Sequence, residues 1–347
     1  MSDSQQESNN GSTLDRAGVE DALDGLARCP DTLAMVYSSL ALPQRGLGNV
    51  DILSEFPKLQ IIDVSGNKIT SLECLSKLPH LLELDASRNN LTRVLEFRPA
   101  HCRQSAPERV DATSSSADAW TEGDSAVGST LQRAVLSCNQ FEAIGDLSHH
   151  PYLQHLDLND NRIARIEGLS ALGRLRSLSL CGNALTDLGG ELRGLLLEEL
   201  YLDRNQIEVL DGELLAQLPR LRVLTAADNR ITALAGLASA AGLSRLDLSG
   251  NNVSEMAEAG HLGGLKLLCD VQLSGNPIAA EQYYRRRVLV QAQQLALLDG
   301  IIISAEEKVK SLNMHGADVE NRQATFAKYL PEAEFVNTLP PVKHPSE

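Results

Sequence analysis

A chain of 347 residues with 43% hydrophobic side chains can bury a sizeable core, but aromatics are only 3%, so Leu, Ile, Val and Ala have to pack it. Asp and Glu outnumber Lys and Arg by 46 to 31, and the formal charge of −15 argues against a surface built chiefly for nucleic-acid phosphates or anionic lipid. The six cysteines (Cys29, Cys74, Cys102, Cys138, Cys181 and Cys269) are scattered without a C-x-x-C pair, so reduced thiols of an intracellular protein are expected rather than a disulfide framework or a zinc site.

The start, "MSDSQQESNNGST", has neither the basic nor the apolar region of a signal peptide, and residues 1–12 read as a disordered N-terminus. No apolar run reaches the roughly 18 residues a membrane helix needs. The sequons at Asn10, Asn90 and Asn252 are therefore expected to stay unmodified. "TLDRAGVEDALDGLARC" then carries Leu14, Val19, Leu23 and Leu26 at roughly helical spacing, which predicts an N-terminal helical cap over 13–36.

From residue 37 to 278 one pattern repeats, L-x-x-L-x-L-x-x-N-x-L. Its asparagines are Asn67, Asn89, Asn139, Asn161, Asn183, Asn205, Asn229, Asn251 and Asn276, spaced by 22, 50, 22, 22, 22, 24, 22 and 25 residues. "SSLALPQRGL" reads as a degenerate unit ahead of them, with Arg45 in the asparagine position, which makes about ten repeats. Within a unit two leucines flank one residue, as Leu156 and Leu158 flank Asp157. Strand alternation sends the leucines to the core and the middle residue outward. An asparagine can donate and accept at once, so a buried column of them can satisfy backbone groups where each strand turns away. The pattern resembles leucine-rich repeat proteins of the short, 22-residue class. That resemblance implies an α/β fold, a curved leucine-rich repeat solenoid with parallel strands on its concave face.

The 50-residue spacing between Asn89 and Asn139 is one period plus 28 residues, which defines an insertion over 98–130. Leu91 continues the repeat before it and Leu131 resumes the repeat after it. Its Ser, Ala, Asp and Gly content predicts disorder and a place on the returning, non-strand side. Two readings stand: a tolerated spacer, or a docking segment anchored by Trp120, the only Trp of the chain. Ser114, Ser115 and Ser116 are candidate phosphorylation positions.

After the last repeat, "GNPIAAEQYYRRRVLVQAQQLALLDGIII" resembles the C-terminal cap that follows many short leucine-rich repeats, and it is assigned to 279–303 with Tyr284 and Arg285 as the characteristic pair. Ser304 and Glu307 have capping-box spacing and open a helical tail over 304–335, followed by a disordered tail over 336–347. Val319, Phe326 and Leu330 would line one face of that tail as contacts to this protein or to a partner.

No phosphate loop, dinucleotide fingerprint, nucleophile elbow or zincin motif occurs, so no catalytic, cofactor-binding or metal residue is assigned and the chain reads as a non-enzyme. The neighbours His149 and His150 should diverge on a connecting loop, and His101–Cys102 lacks an orienting framework. Binding is expected on the concave side. The outward strand positions there are Asp63, Glu83, Asp85, Arg133, His155, Asp157, Glu199, Tyr201, Asp203, Arg245, Asp247, Asp270 and Gln272. Acid dominates them, which suits a basic or mixed-charge partner helix or loop.

"GLARCPDTLAMVYSSLALPQRGLGNVDILSEFPKLQIIDVSGNKI", "LSHHPYLQHLDLNDN" and the cap sequence resemble the ciliary leucine-rich repeat-containing protein twenty-three family over about Gly25 to Asp299. The insertion and the sequence after Ile303 depart from that family's pattern. The resemblance implies a non-enzymatic scaffold in the axoneme of motile cilia or flagella, a radial spoke-like component with axonemal protein partners and a cytoplasmic, cytoskeletal location. The alternative is a regulatory subunit of a protein phosphatase 1-type Ser/Thr phosphatase that binds the catalytic subunit through the concave face, although "RVLTA" and "KVKSL" lack the Phe of an [RK]-V-x-F docking stretch. Acidic nuclear or spliceosomal repeat proteins come third, because the acid here is dispersed and does not form a tail.

Overall fold

The computed structural model describes residues 12–28, 34–97, 130–189, 191–313 and 327–328. Trp120, Val319, Phe326 and Leu330, the serine run and all but Thr130 of the insertion lie outside them, as do residues 336–347 and nearly all of 1–12. Two compact units are present, Met1–Leu185 with Gly189–Leu197, and Thr186–Leu188 with Glu198–Glu347.

The first unit begins with β1 (Ser12–Thr13), α1 (Arg16–Glu20), β2 (Leu23–Arg28), β3 (Met35–Ala41) and β4 (Leu47–Asn49). Three-residue strands follow, β5 (Ile61–Asp63), β6 (Glu83–Asp85), β7 (Arg133–Val135), β8 (His155–Asp157) and β9 (Ser177–Ser179). They stack parallel on β3 in chain order, while β2 pairs antiparallel with β3 and β1 pairs with β4. The second unit stacks β10 (Glu199–Tyr201), β11 (Val223–Thr225), β12 (Arg245–Asp247) and β13 (Asp270–Gln272) in the same way, with α2 (Gly212–Ala216) between the first two. It ends in α3 (Tyr284–Gln291), the antiparallel pair β14 (Leu297–Leu298) and β15 (Ile301–Ile302), and α4 (Ala305–Asn313).

The middle residue of each repeat strand is buried, as Ile62, Leu84, Ala134, Leu156 and Leu178 are in the first unit. Strands stop after three residues because the position before each asparagine turns left-handed. Arg88, Cys138 and Asp160 take φ of 55°, 56° and 52° there, and Arg204 and Asp228 take 56° and 52°. The carbonyls and N–H groups released by that turn go to the asparagine. Asn161 donates from Nδ2 to the carbonyls of Leu158 at 2.9 Å and Leu136 at 3.3 Å, and its Oδ1 accepts from the N–H of Asn139 and Phe141 at 3.2 Å. Asn251 repeats this in the second unit, donating to Ala226 and Leu248 and accepting from Ile231. The degenerate unit uses its neighbour: the N–H groups of Arg45 and Leu47 both bond Asn67 Oδ1 at 3.0 Å.

Among the described residues at the N-terminal end helix is confined to α1, capped by Asp15, whose carboxylate accepts from Gly18 N–H at 2.8 Å. Leu23–Arg28, expected to be helical, is a strand, and Leu26, placed inside by the helical reading, is 62% exposed. The first parallel strand would otherwise present an open edge, and β2 satisfies that edge with five register pairs. At the other end α3 buries Tyr284, Val288 and Leu289. Tyr284 donates to Asp299 at 2.9 Å, while Arg285 donates to the carbonyls of Leu298 and Ile302 and pairs with Glu307. Ser304 Oγ accepts from Glu307 N–H at 3.1 Å and starts α4, which buries Val309.

The sheet is undisturbed across the insertion. Strands β6 and β7 pair Glu83 with Arg133 and Asp85 with Val135, and Leu91 N–H bonds Asn139 Oδ1 at 3.1 Å. On the departing side Phe97 and His150 meet edge to face at 5.1 Å, and His150 Nε2 lies 3.2 Å from the Leu95 carbonyl. On the returning side Thr130 donates to Pro79 and Leu81 carbonyls. His149 is half-buried and His150 is buried, so the pair diverges. Burial lowers the His150 pKa to about 4, the nearby His149 adds to this, and the Leu95 and Phe97 backbone bonds oppose it. Its Nδ1 has no hydrogen-bond partner among the described residues.

A histidine held neutral in the fold and free to protonate near 6.5 when unfolded stabilises the protein above that pH and loses the contribution as pH falls toward about 4. Between pH 7 and pH 4.5 the wild type should therefore lose about 2 to 3 kcal/mol more unfolding free energy than His150→Phe, read from urea melts at both pH values. Equal losses would place the protonation elsewhere.

Candidate interaction surface

The parallel register aligns the outward positions into two columns in each unit. In the first unit one column runs Ser39, Ile61, Glu83, Arg133, His155 and Ser177, and the other holds Asp63, Asp85, Val135 and Asp157. In the second unit Glu199, Val223, Arg245 and Asp270 share a column, with Tyr201, Thr225, Asp247 and Gln272 beside it. Of the thirteen positions expected to face outward, twelve lie on the strands and Asp203 lies just past β10. Glu83, Arg133, His155 and Arg245 are exposed and the others are half-buried.

The half-buried acids have a task that alternation did not reveal. Asp63, Asp85 and Asp157 each accept from the backbone N–H two residues on, that of Ser65, Ser87 and Asn159, at 2.9 Å. Asp247 does the same with Ser249 at 3.0 Å. Asp203 lies just past its strand and reaches the next repeat, accepting from Thr225 Oγ1 and Ala227 N–H at 2.8 Å. These carboxylates close the turn that follows each strand. Burial raises the Asp157 pKa, with Asp85 and Asp160 adding repulsion and the Asn159 N–H and Arg133 opposing it. Charge reversal at Asp157, Asp203 and Asp247 would therefore break the turns as well as alter the surface.

Side chains outside these turns form the separable part. Glu83, Arg133 and His155 stand side by side on β6, β7 and β8, and among the described residues their side chains hold no backbone group. In the second unit Arg245 lies 3.5 Å from Asp270, which receives Gln272 Nε2 at 3.5 Å, and Tyr201 donates to Glu199 at 3.2 Å. Ile61, absent from the expected set, is 42% exposed in the same column as Glu83. Its signal was present in "LQIID", where two adjacent isoleucines replace the usual polar–apolar pair.

Nothing in this surface assembles reactive groups. No group of three or more His, Cys, Asp and Glu suited to a metal ion occurs among the described residues. Burial pushes the Cys74 thiol up to about 12, far from a thiolate nucleophile at neutral pH. A cleft of about 560 Å³ beside the departing insertion is lined by Arg93, Glu96, Glu142, Asp146, His149 and Arg162, a mixed-charge rim without a nucleophile–base pair. No helix among the described residues is long and apolar enough to cross a membrane.

Family models described as leucine-rich repeat and as leucine-rich repeats in two copies match residues 197–325 and 151–194. The bovine leucine-rich repeat-containing protein 23 is 30% identical over 316 residues, covering 84% of this chain and 77% of that protein, and the human protein matches to the same extent. The chain belongs to the leucine-rich repeat-containing protein 23 family. The solved structure of a leucine-rich repeat protein of Leptospira interrogans superposes with a TM-score of 0.51 at 20% identity, over 83% of this chain and 74% of that one, and shows the shared fold. The leucine-rich repeat is a scaffold for protein partners.

The division between turn-closing and separable side chains is measurable. Asp157→Ala should cost about 1 to 2 kcal/mol of unfolding free energy, while Glu83→Ala and His155→Ala each stay within about 0.5 kcal/mol. Equal costs in urea melts would contradict the division.

Proposed function

We propose that this protein is a non-enzymatic structural component of the axoneme of motile cilia or flagella, a scaffold of the radial-spoke kind that holds axonemal proteins. The observation that carries this reading is the relationship to leucine-rich repeat-containing protein 23, which spans 84% of the chain and 77% of the bovine protein. The outward row Arg133 and His155 supports it, because these side chains are exposed, fixed in register and free of turn-closing duties. The acid-rich columns around them favour partner surfaces with Lys and Arg.

A tagged copy expressed in ciliated cells tests the reading. It should remain with axonemes after detergent extraction, and Arg133→Glu with His155→Glu should reduce that retention at least threefold while the urea midpoint of the purified variant stays unchanged. A diffuse signal, with a Ser/Thr phosphatase catalytic subunit co-purifying, would overturn the axonemal assignment and favour a phosphatase regulator.

A further inference from the structure

The first unit also carries an apolar surface that the polar columns do not account for. Leu26 on β2, Met35 and Tyr37 on β3 and Ile61 on β5 are exposed by 62%, 59%, 54% and 42%. Register brings them together. Leu26 pairs with Tyr37, Arg28 with Met35, and Ser39, two residues past Tyr37 on the same sheet face, pairs with Ile61. Single exposed apolar side chains are ordinary, whereas a contiguous group at the end of a sheet marks an interaction site. A cleft of about 220 Å³ opens beside Tyr37 and is walled by Leu23, Phe56, Pro57 and Leu59, with Glu55 and Lys58 on its rim. Such a cleft next to an exposed aromatic is the arrangement in which one buried anchor side chain carries much of a protein interface.

The surroundings select the occupant. Asp24 pairs with Ser39 at the near side of the patch, Glu83 pairs with Ile61, and Asp63 follows Ile61 on the same face, so acids border the apolar group on the sheet. Arg28 stands opposite Met35 at the far end. The molecule's formal charge of −15 adds a general attraction for cations. We propose that this face docks a partner protein through a segment that places a large apolar side chain in the Tyr37 cleft, with Lys or Arg on its flanks against Asp24, Asp63 and Glu83. The proposal shares with the axonemal reading only the premise that partners are proteins, and it uses residues other than Arg133 and His155.

The test uses the full chain and a labelled 18-residue amphipathic Leu/Lys helix as probe, with a Leu/Glu peptide of the same pattern as control, followed by fluorescence anisotropy. The wild type should bind the Leu/Lys peptide at least tenfold tighter than Leu26→Ser/Tyr37→Ser does, and should not bind the Leu/Glu peptide. Arg133→Glu/His155→Glu should bind like the wild type, which separates this face from the row that supports the axonemal reading. If the double serine variant does not fold, Ile61→Thr at the other side of the patch is measured in its place, with the same loss expected. Equal affinity for wild type and patch variants, or equal binding of the acidic peptide, would overturn the proposal. So would sedimentation that shows a wild-type dimer and a monomeric patch variant, because the face would then belong to a second copy of this chain.

Discussion

Each repeat strand from β5 to β13 is three residues long, and everything else follows from where its backbone hydrogen bonds go when it ends. The left-handed residue before each asparagine turns the chain away from the sheet and strands carbonyls and N–H groups in a buried place. One amide side chain answers both needs, its Nδ2 serving carbonyls of its own and the preceding repeat and its Oδ1 taking N–H groups from that preceding repeat. A carboxylate could not donate and a leucine could do neither. This fixes the core side of the repeat and leaves the returning segments free to vary, which is why a 28-residue insertion in the first unit and spacings of 24 and 25 residues in the second each leave the parallel register of that unit unbroken.

The same constraint explains which parts of the fold are legible in the amino-acid sequence. The asparagine column and the buried middle residues recur at a period near 22 residues, and the C-terminal cap carries a Tyr–Arg pair whose contacts with Asp299 and the Leu298 carbonyl lie within the cap itself. The strand at Leu23–Arg28 is not legible, because its apolar spacing fits a helix and its real determinant is the open edge of β3, a tertiary feature. The aspartates are half legible. Alternation gives their direction, yet says nothing of a carboxylate folding back onto the N–H two residues on. His150 belongs to no period, so its role against Leu95 and Phe97 emerges only from packing.

For function the consequence is a sorting of the outward surface into two kinds of side chain. Aspartates that close turns keep the scaffold rigid and contribute charge as a by-product. Side chains such as Arg133 and His155 hold no backbone group among the described residues, so they can change at little cost to the fold.

The central claim is that one asparagine ladder runs unbroken beneath the insertion, with Leu91 N–H held by Asn139 across 48 residues of sequence. Native-state amide hydrogen exchange tests it directly. The account predicts that Leu91 N–H is protected to within about tenfold of Phe141 N–H, its counterpart held by Asn161 in the next repeat. Exchange of Leu91 at the rate of an open loop, with Phe141 still protected, would show that the ladder is broken at the insertion.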